Sequence, residues 1–272
     1  MKLVSTDVEV VYMGDGGTDV VAVRDLNLTV NEREVVCIVG RSGCGKSTYL
    51  HALAGLIPIS SGEMLMDGAP IVGPAPERAM VFQRACLLPW RTVFKNVTYG
   101  LDLQRRRRGL SKEAVRARAM GLIELVGLSG FEHAHPVRLS GGMQQRVNLA
   151  RALAVEPTVL LMDEPFGALD AQLRAEMQGM VREIVKRLGT TIVFVTHDVR
   201  EALFLGDRVV VLGGHPGTVR EIIEIPERGD RSRELLRSEQ FLAWEDRIES
   251  LLGRGTDRVA GEETPIARHV AS

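Results

Sequence analysis

Several features are scarce in this sequence. It has three cysteines, Cys37, Cys44 and Cys86, and no CxxC pair. An odd, scattered set builds neither a disulfide framework nor a zinc site, so reduced thiols are expected. Aromatic residues make up only 4%. The core must then come from Val, Leu, Ile, Ala and Met, which suits buried parallel strands. Neither sign of charge prevails: 34 Lys and Arg stand against 35 Asp and Glu, a formal net charge of -1. That balance lacks the basic excess of a general nucleic-acid binder, so no nucleic-acid partner is expected. It also lacks the imbalance of a disordered chain. The longest apolar run, around Val209–Leu212, is strand-sized. A membrane span needs about 18–20 apolar residues. Met1–Asp7 has no apolar segment and meets an acid at once, so no secretory signal is expected. His133 and His135 have no third ligand nearby and are not read as a metal pair.

What is present reads as an α/β protein. Short β-branched runs predict strands at Val8–Tyr12, Val20–Arg24, Val35–Val39, Met64–Met66, Ala79–Phe82, Val159–Met162, Ile192–Thr196 and Arg208–Leu212. The runs at Val35–Val39 and Thr191–Val195 do not alternate with polar residues, as expected of central strands covered on both faces. Asp170–Leu188 carries Leu173, Met177, Val181, Ile184 and Leu188 at helical spacing, with Asp170 as N-cap and Gly189 as stop. Over residues 91–155 strand runs vanish, and helices are expected at Val93–Tyr99, Lys112–Val126 and Gln144–Ala154. This predicts a helical subdomain inserted into the α/β core. Residues 3–253 are read as one domain. The stretch 254–272 lacks periodicity and is expected to be a mobile tail.

The chemistry begins at Gly40-Arg41-Ser42-Gly43-Cys44-Gly45-Lys46-Ser47-Thr48, which matches G-x-x-x-x-G-K-[ST]. It follows the strand Val35–Val39 and opens a helix, the context a phosphate-binding loop requires. Glycines turn the backbone so that successive N–H groups point inward, and the helix N-terminus adds partial positive charge. Lys46 would reach the β and γ phosphates, and Ser47 would place its hydroxyl on Mg2+. This establishes a P-loop nucleotide site without choosing among kinase, GTPase, transporter ATPase and motor.

A second strand, Val159–Met162, ends in Asp163-Glu164. A carboxylate at that place can hold Mg2+, and its neighbour can orient or deprotonate an attacking water. A second anion site is expected at Leu139-Ser140-Gly141-Gly142-Met143-Gln144, where Ser140 caps a helix whose first amides are bare.

Six motifs then stand in order: the phosphate loop, Val81-Phe82-Gln83, Leu139–Gln144, Asp163-Glu164, Ala168-Leu169-Asp170 and Val195-Thr196-His197-Asp198. Over roughly residues 3–225 the chain resembles the ATP-binding subunits of ABC transporters. The resemblance implies a P-loop NTPase core with an antiparallel β subdomain and the inserted helical subdomain. It implies ATP and Mg2+ as ligands. Tyr12 would stack on adenine. Gln83 would touch Mg2+ and sense the membrane partner. Ser140, Gly141 and Gly142 would clamp the γ-phosphate of ATP on the other subunit, and Asp170 would lie at the dimer seam. Glu164 would be the catalytic base, Asp163 a metal ligand, and His197 the switch histidine. The implied assembly is a head-to-tail homodimer on the cytoplasmic face of the plasma membrane.

Leu87-Leu88-Pro89-Trp90, Gly73–Arg78, Met162–Asp170 and Pro216-Gly217 resemble the nitrate, sulfonate, taurine and bicarbonate importer group. The permease would then dock near Gln83 to Trp90, with a solute-binding protein as an indirect partner. An exposed Trp90 would favour that role; a packed one would not. The alternative is a soluble ABC ATPase of repair or translation, which usually carries a coiled-coil insertion or a second cassette. A binding module with a dead site is disfavoured by intact Lys46, Asp163, Glu164 and His197. In one departure, Arg33 stands where the family has a turn glycine, so a turn tighter in its demands or of another type is expected. The Arg105–Arg108 run is read as a solvated face.

Overall fold

The computed structural model describes residues 1–13, 18–226 and 238–253. The elements run β1 (Leu3–Met13), β2 (Asp19–Val30), β3 (Val35–Gly40), α1 (Lys46–Leu53), β4 (Ser61–Met66), β5 (Ala69–Pro70) and β6 (Arg78–Val81). Then come α2 (Val93–Val97), α3 (Tyr99–Arg108), α4 (Lys112–Leu125), α5 (Gly141–Ala154), β7 (Val159–Asp163), α6 (Ala171–Leu188), β8 (Thr191–Thr196), α7 (Val199–Leu205), β9 (Arg208–Gly213), β10 (Thr218–Glu224) and α8 (Glu239–Gly253).

Two sheets form. An antiparallel sheet has the order β2-β1-β4-β5, and a second has the order β10-β9-β3-β8-β7-β6. In the second, β9, β3, β8, β7 and β6 are mutually parallel, and β10 joins antiparallel at the edge. The continuous apolar runs explain the layering. Val35, Cys37 and Val39 face a core shared with the helices α2, α4, α5, α6 and α7. Val36 and Ile38, on the opposite face, share a core with α1 and the antiparallel sheet. Every residue of β3 and β8 is buried, as a strand covered on both faces demands.

The helical segment differs in detail from expectation. Val93–Tyr99 is not one helix. Thr98 ends α2, and its hydroxyl donates to Asp102 at 3.1 Å, inside the next helix. Helix α5 starts at Gly141, three residues before the predicted Gln144, because Ser140 caps it: the Ser140 hydroxyl accepts from the Met143 amide at 3.3 Å. Arg108 is exposed, as expected of a solvated face, but it is also tethered. Its guanidinium pairs with Glu156 and donates to the Val155 carbonyl at 3.2 Å, at the end of α5. Asp170 caps α6 through the Leu173 amide at 2.9 Å, and Gly189 stops it in the left-handed conformation, both as the sequence implies. The predicted tail, 254–272, lies outside the described residues.

Candidate functional site

The sheet order assembles the site. Parallel strands all end on the same edge, where α/β proteins hold ligands. Val39 of β3 is in register with Thr196 of β8, and Val195 of β8 with Asp163 of β7. Val81 of β6 is in register with Met162. The phosphate loop, His197, Asp163-Glu164 and Phe82-Gln83 therefore emerge side by side. A polar pocket results, lined by Ser42, Gly43, Gly45, Lys46, Ser47, Thr48, Gln83, Asp163 and Glu164.

The loop itself is built by close packing. Gly45 is left-handed at φ 88°, and a Cβ there would lie 2.5 Å from the Ala22 carbonyl oxygen of β2. Only glycine lets the loop rest that tightly on the antiparallel sheet. Gly217 does the same from the other side, since a Cβ there would meet the Cys44 carbonyl oxygen at 2.1 Å. Lys46 is almost fully buried; its ammonium donates to the Gly40 carbonyl at 2.8 Å and the Arg41 carbonyl at 2.9 Å. One of three ammonium hydrogens is left for a ligand. The first amide that bonds back into α1 is that of Tyr49, to Gly45. No acid occupies the first turn of α1. The amides of Lys46, Ser47 and Thr48 thus face the pocket mouth as anion donors. Burial pushes the Cys44 thiol up, and nearby Lys46 partly opposes this.

Opposite stand the acids. Ser47 Oγ donates to Asp163 Oδ1 at 2.8 Å, and His51 Nε2 faces Asp163 Oδ2 at 3.5 Å. Glu164 holds a left-handed backbone, φ 40°, pinned by its amide donating to the Val195 carbonyl at 3.0 Å. Strain of this kind gathers at functional sites. Its Oε2 lies 2.9 Å from Nδ1 of His197. Hard oxygen donors from Asp163 and Ser47, side by side, fit Mg2+.

Tyr12 is 39% exposed, and its hydroxyl donates to Thr48 Oγ1 at 3.4 Å, so it stands at the pocket's edge. Ser140 and Gly141 are exposed at the start of α5, and Asp170 is exposed at the start of α6. None of these three lines the pocket. Trp90 is 71% exposed, which decides against simple packing.

Sequence reasoning missed the residues that hold these parts. Gln145 is buried and donates to the carbonyls of Phe82 at 3.2 Å, Gln83 at 2.8 Å and Pro165 at 2.7 Å. It thereby joins the Gln83 loop to the turn after Glu164. Arg174 donates to the Leu169 carbonyl at 3.2 Å and to Asp198 at 3.3 Å, tying the Asp170 turn to the His197 turn. His51 was also missed, although its spacing four residues after Ser47 puts both on one helix face.

Comparisons agree with this geometry. A family model described as ABC transporter matches residues 23–167. The chain is 46% identical, over 87% of its length and 86% of the relative's, to an uncharacterized ABC transporter ATP-binding protein of Methanocaldococcus jannaschii. It is 44% identical to the nitrate import ATP-binding protein NrtD of Synechocystis sp., covering 94% of this chain and 97% of that one. It is 42% identical to the taurine import ATP-binding protein TauB of Yersinia pestis, covering 86% and 91%. Among solved structures, a dimeric post-hydrolysis state of an ATP-binding cassette bound to ADP and Pi superposes with a TM-score of 0.73 at 31% identity, covering 83% of this chain and 99% of that one. With a polar phosphate pocket on the edge of a parallel sheet and relatives that run nearly its full length, the chain belongs to the ABC transporter family.

Proposed function

We propose that this chain is the ATP-hydrolysing subunit of an importer, and that it drives uptake of a small anion, such as nitrate, taurine or another sulfonate, through a separate permease. The observation that carries the reading is the polar pocket that brings the phosphate loop, Asp163 and Glu164 to one sheet edge. The names of the relatives support import over the soluble repair or translation alternative.

The geometry supports a role for each residue. The loop amides and Lys46 bind the phosphates, and the exposed face of Tyr12 takes the adenine. Asp163, Ser47 and Gln83 hold Mg2+, which when bound neutralises charge on the phosphate oxygens. Glu164 accepts the proton of the attacking water. Nδ1 of His197 keeps that carboxylate aimed, and its other nitrogen is left for the γ-phosphate. Ser140, Gly141 and Gly142 cap the γ-phosphate of ATP bound by a second copy, with Asp170 at the seam. That reading suits the exposure of Ser140, Gly141 and Asp170 away from the chain's own pocket; Gly142, the next residue of α5, is buried against Leu173. ATP then joins two copies and its hydrolysis parts them, a ligand-driven two-state switch. Residues 3–253 act as one cassette.

Among the described residues no helix is long and apolar enough to cross a membrane. On this reading a separate permease supplies the path, and the cassette sits beneath it on the cytoplasmic face, indirectly served by a solute-binding protein. Trp90 marks the docking place. A large exposed aromatic on a pinned loop is a typical interface anchor. Trp90→Ala is expected to cut anion uptake by cells more than about fivefold while the purified chain keeps its nucleotide affinity. Unchanged uptake would remove Trp90 from the docking surface.

A further inference from the structure

His51 lies on α1, one turn past Ser47. Its Nε2 is shut off from solvent and has no hydrogen-bond partner, a costly state for a ring nitrogen. It faces Oδ2 of Asp163, an acceptor 3.5 Å away. The other oxygen of that carboxylate accepts from Ser47 Oγ at 2.8 Å. One helix face thus addresses both oxygens of one carboxylate, one through a hydrogen bond and the other across 3.5 Å. On its other side, the His51 ring stands 6.3 Å from the Phe82 ring, the residue before Gln83. The imidazole is therefore held between the acid that ends β7 and the segment that ends β6.

We propose that His51 is a positioning residue for the metal carboxylate: its Nε2–H holds Oδ2 of Asp163 so that the other oxygen stays aimed at the metal. The inference rests on the reading of Asp163 as a Mg2+ ligand. Ser47 has only one hydroxyl hydrogen and, on that reading, gives a lone pair to the metal as well. The carboxylate then needs a second donor to fix its rotation, and His51 is the side chain placed to supply it. Outer donors of this kind usually change metal affinity by about 10–100-fold when removed.

The test uses Mn2+ as the probe, with ADP and the full chain, followed by the electron spin resonance of free Mn2+. His51→Leu should bind Mn2+ about tenfold more weakly. Its ADP affinity in EDTA should stay within about twofold of the parent. His51→Gln, which restores an N–H donor, should recover most of the loss. Equal Mn2+ affinity in the parent and His51→Leu would overturn the inference and leave the metal site standing. Equal loss in both variants, with ADP binding in EDTA preserved, would also overturn it, since the donor would not be what matters. If His51→Leu does not fold, His51→Gln decides: near-parental affinity supports the donor, and a tenfold loss overturns it. A parent chain that binds no Mn2+ with ADP would instead sink the reading of Asp163 itself.

Discussion

Glu164 and Arg33 both occupy backbone conformations that side chains avoid, at φ 40° and 57°. For Arg33 the expectation was a turn tighter in its demands or of another type. The arginine itself adopts the glycine conformation, and its amide donates to Thr191 Oγ1 at 2.9 Å. The turn survives at a cost of about 1–2 kcal/mol. At Glu164 the same strain turns a carboxylate toward His197, where it has a use. Glu201 is a third residue under tension. It is buried on α7, three residues after the Asp198 cap, and burial raises its carboxyl above the ordinary range. Hydrogen bonds from Thr196 and Gln178 oppose this only in part. The folded state thus holds the Glu201 proton more tightly than the unfolded state does. Its stabilising contribution is complete below the ordinary carboxyl value and is lost as pH rises through the raised one. Glu201→Gln should therefore melt a few degrees above the parent at pH 8 and lose that advantage near pH 4. Thermal melts across that range check it, and a constant difference would contradict the assignment.

At the scale of elements, the loop from Gln83 to Trp90 owes its shape to neighbouring helices. Asn96 of α2 is fully buried. Its side chain accepts from the Leu88 amide at 2.9 Å and donates to the carbonyls of Leu88 at 3.2 Å, Arg91 at 3.0 Å and Thr92 at 3.1 Å. Arg151 of α5 donates to the carbonyls of Cys86 at 2.8 Å and Ala85 at 3.2 Å. Asn96→Ala strands the Leu88 amide and should cost about 1–3 kcal/mol in urea unfolding, with uptake impaired more than nucleotide binding. A change below about 0.5 kcal/mol would show that the loop holds itself.

These elements also show what a sequence reveals. The central strands were legible because their β-branched runs are buried on both faces. The edge strand β10 reads Thr-Val-Arg-Glu-Ile-Ile-Glu and is mostly solvated, so no apolar run announced it. Helix α3 was hidden by its four arginines, of which Arg108 grips the end of α5. Site residues carried by local motifs were legible, such as Lys46 and Asp163. Gln145 and Arg174 act on carbonyls brought near by folding, and no local pattern encodes that.

On the scale of the whole molecule, the division of labour is spatial. The chain's own pocket has a phosphate cradle and a carboxylate pair, with His197 bonded to Glu164 beside it, while Ser140 and Asp170 stand exposed outside it. A near-neutral chain carries two helix starts that favour anions and one acidic turn to which the proposed reading gives metal and water. On the proposed reading a second copy completes the site and brings its own Ser140 to the first copy's γ-phosphate. If hydrolysis ends that union, as proposed, removing the Glu164 carboxylate should preserve it. Analytical ultracentrifugation of Glu164→Gln with Mg2+ and ATP tests this most directly. The account predicts a stable dimer with ATP, a monomer with ADP, and ATP turnover reduced by about a hundredfold or more. A variant that stays monomeric with ATP and hydrolyses it at the parental rate would contradict the shared site and the role of Glu164 together.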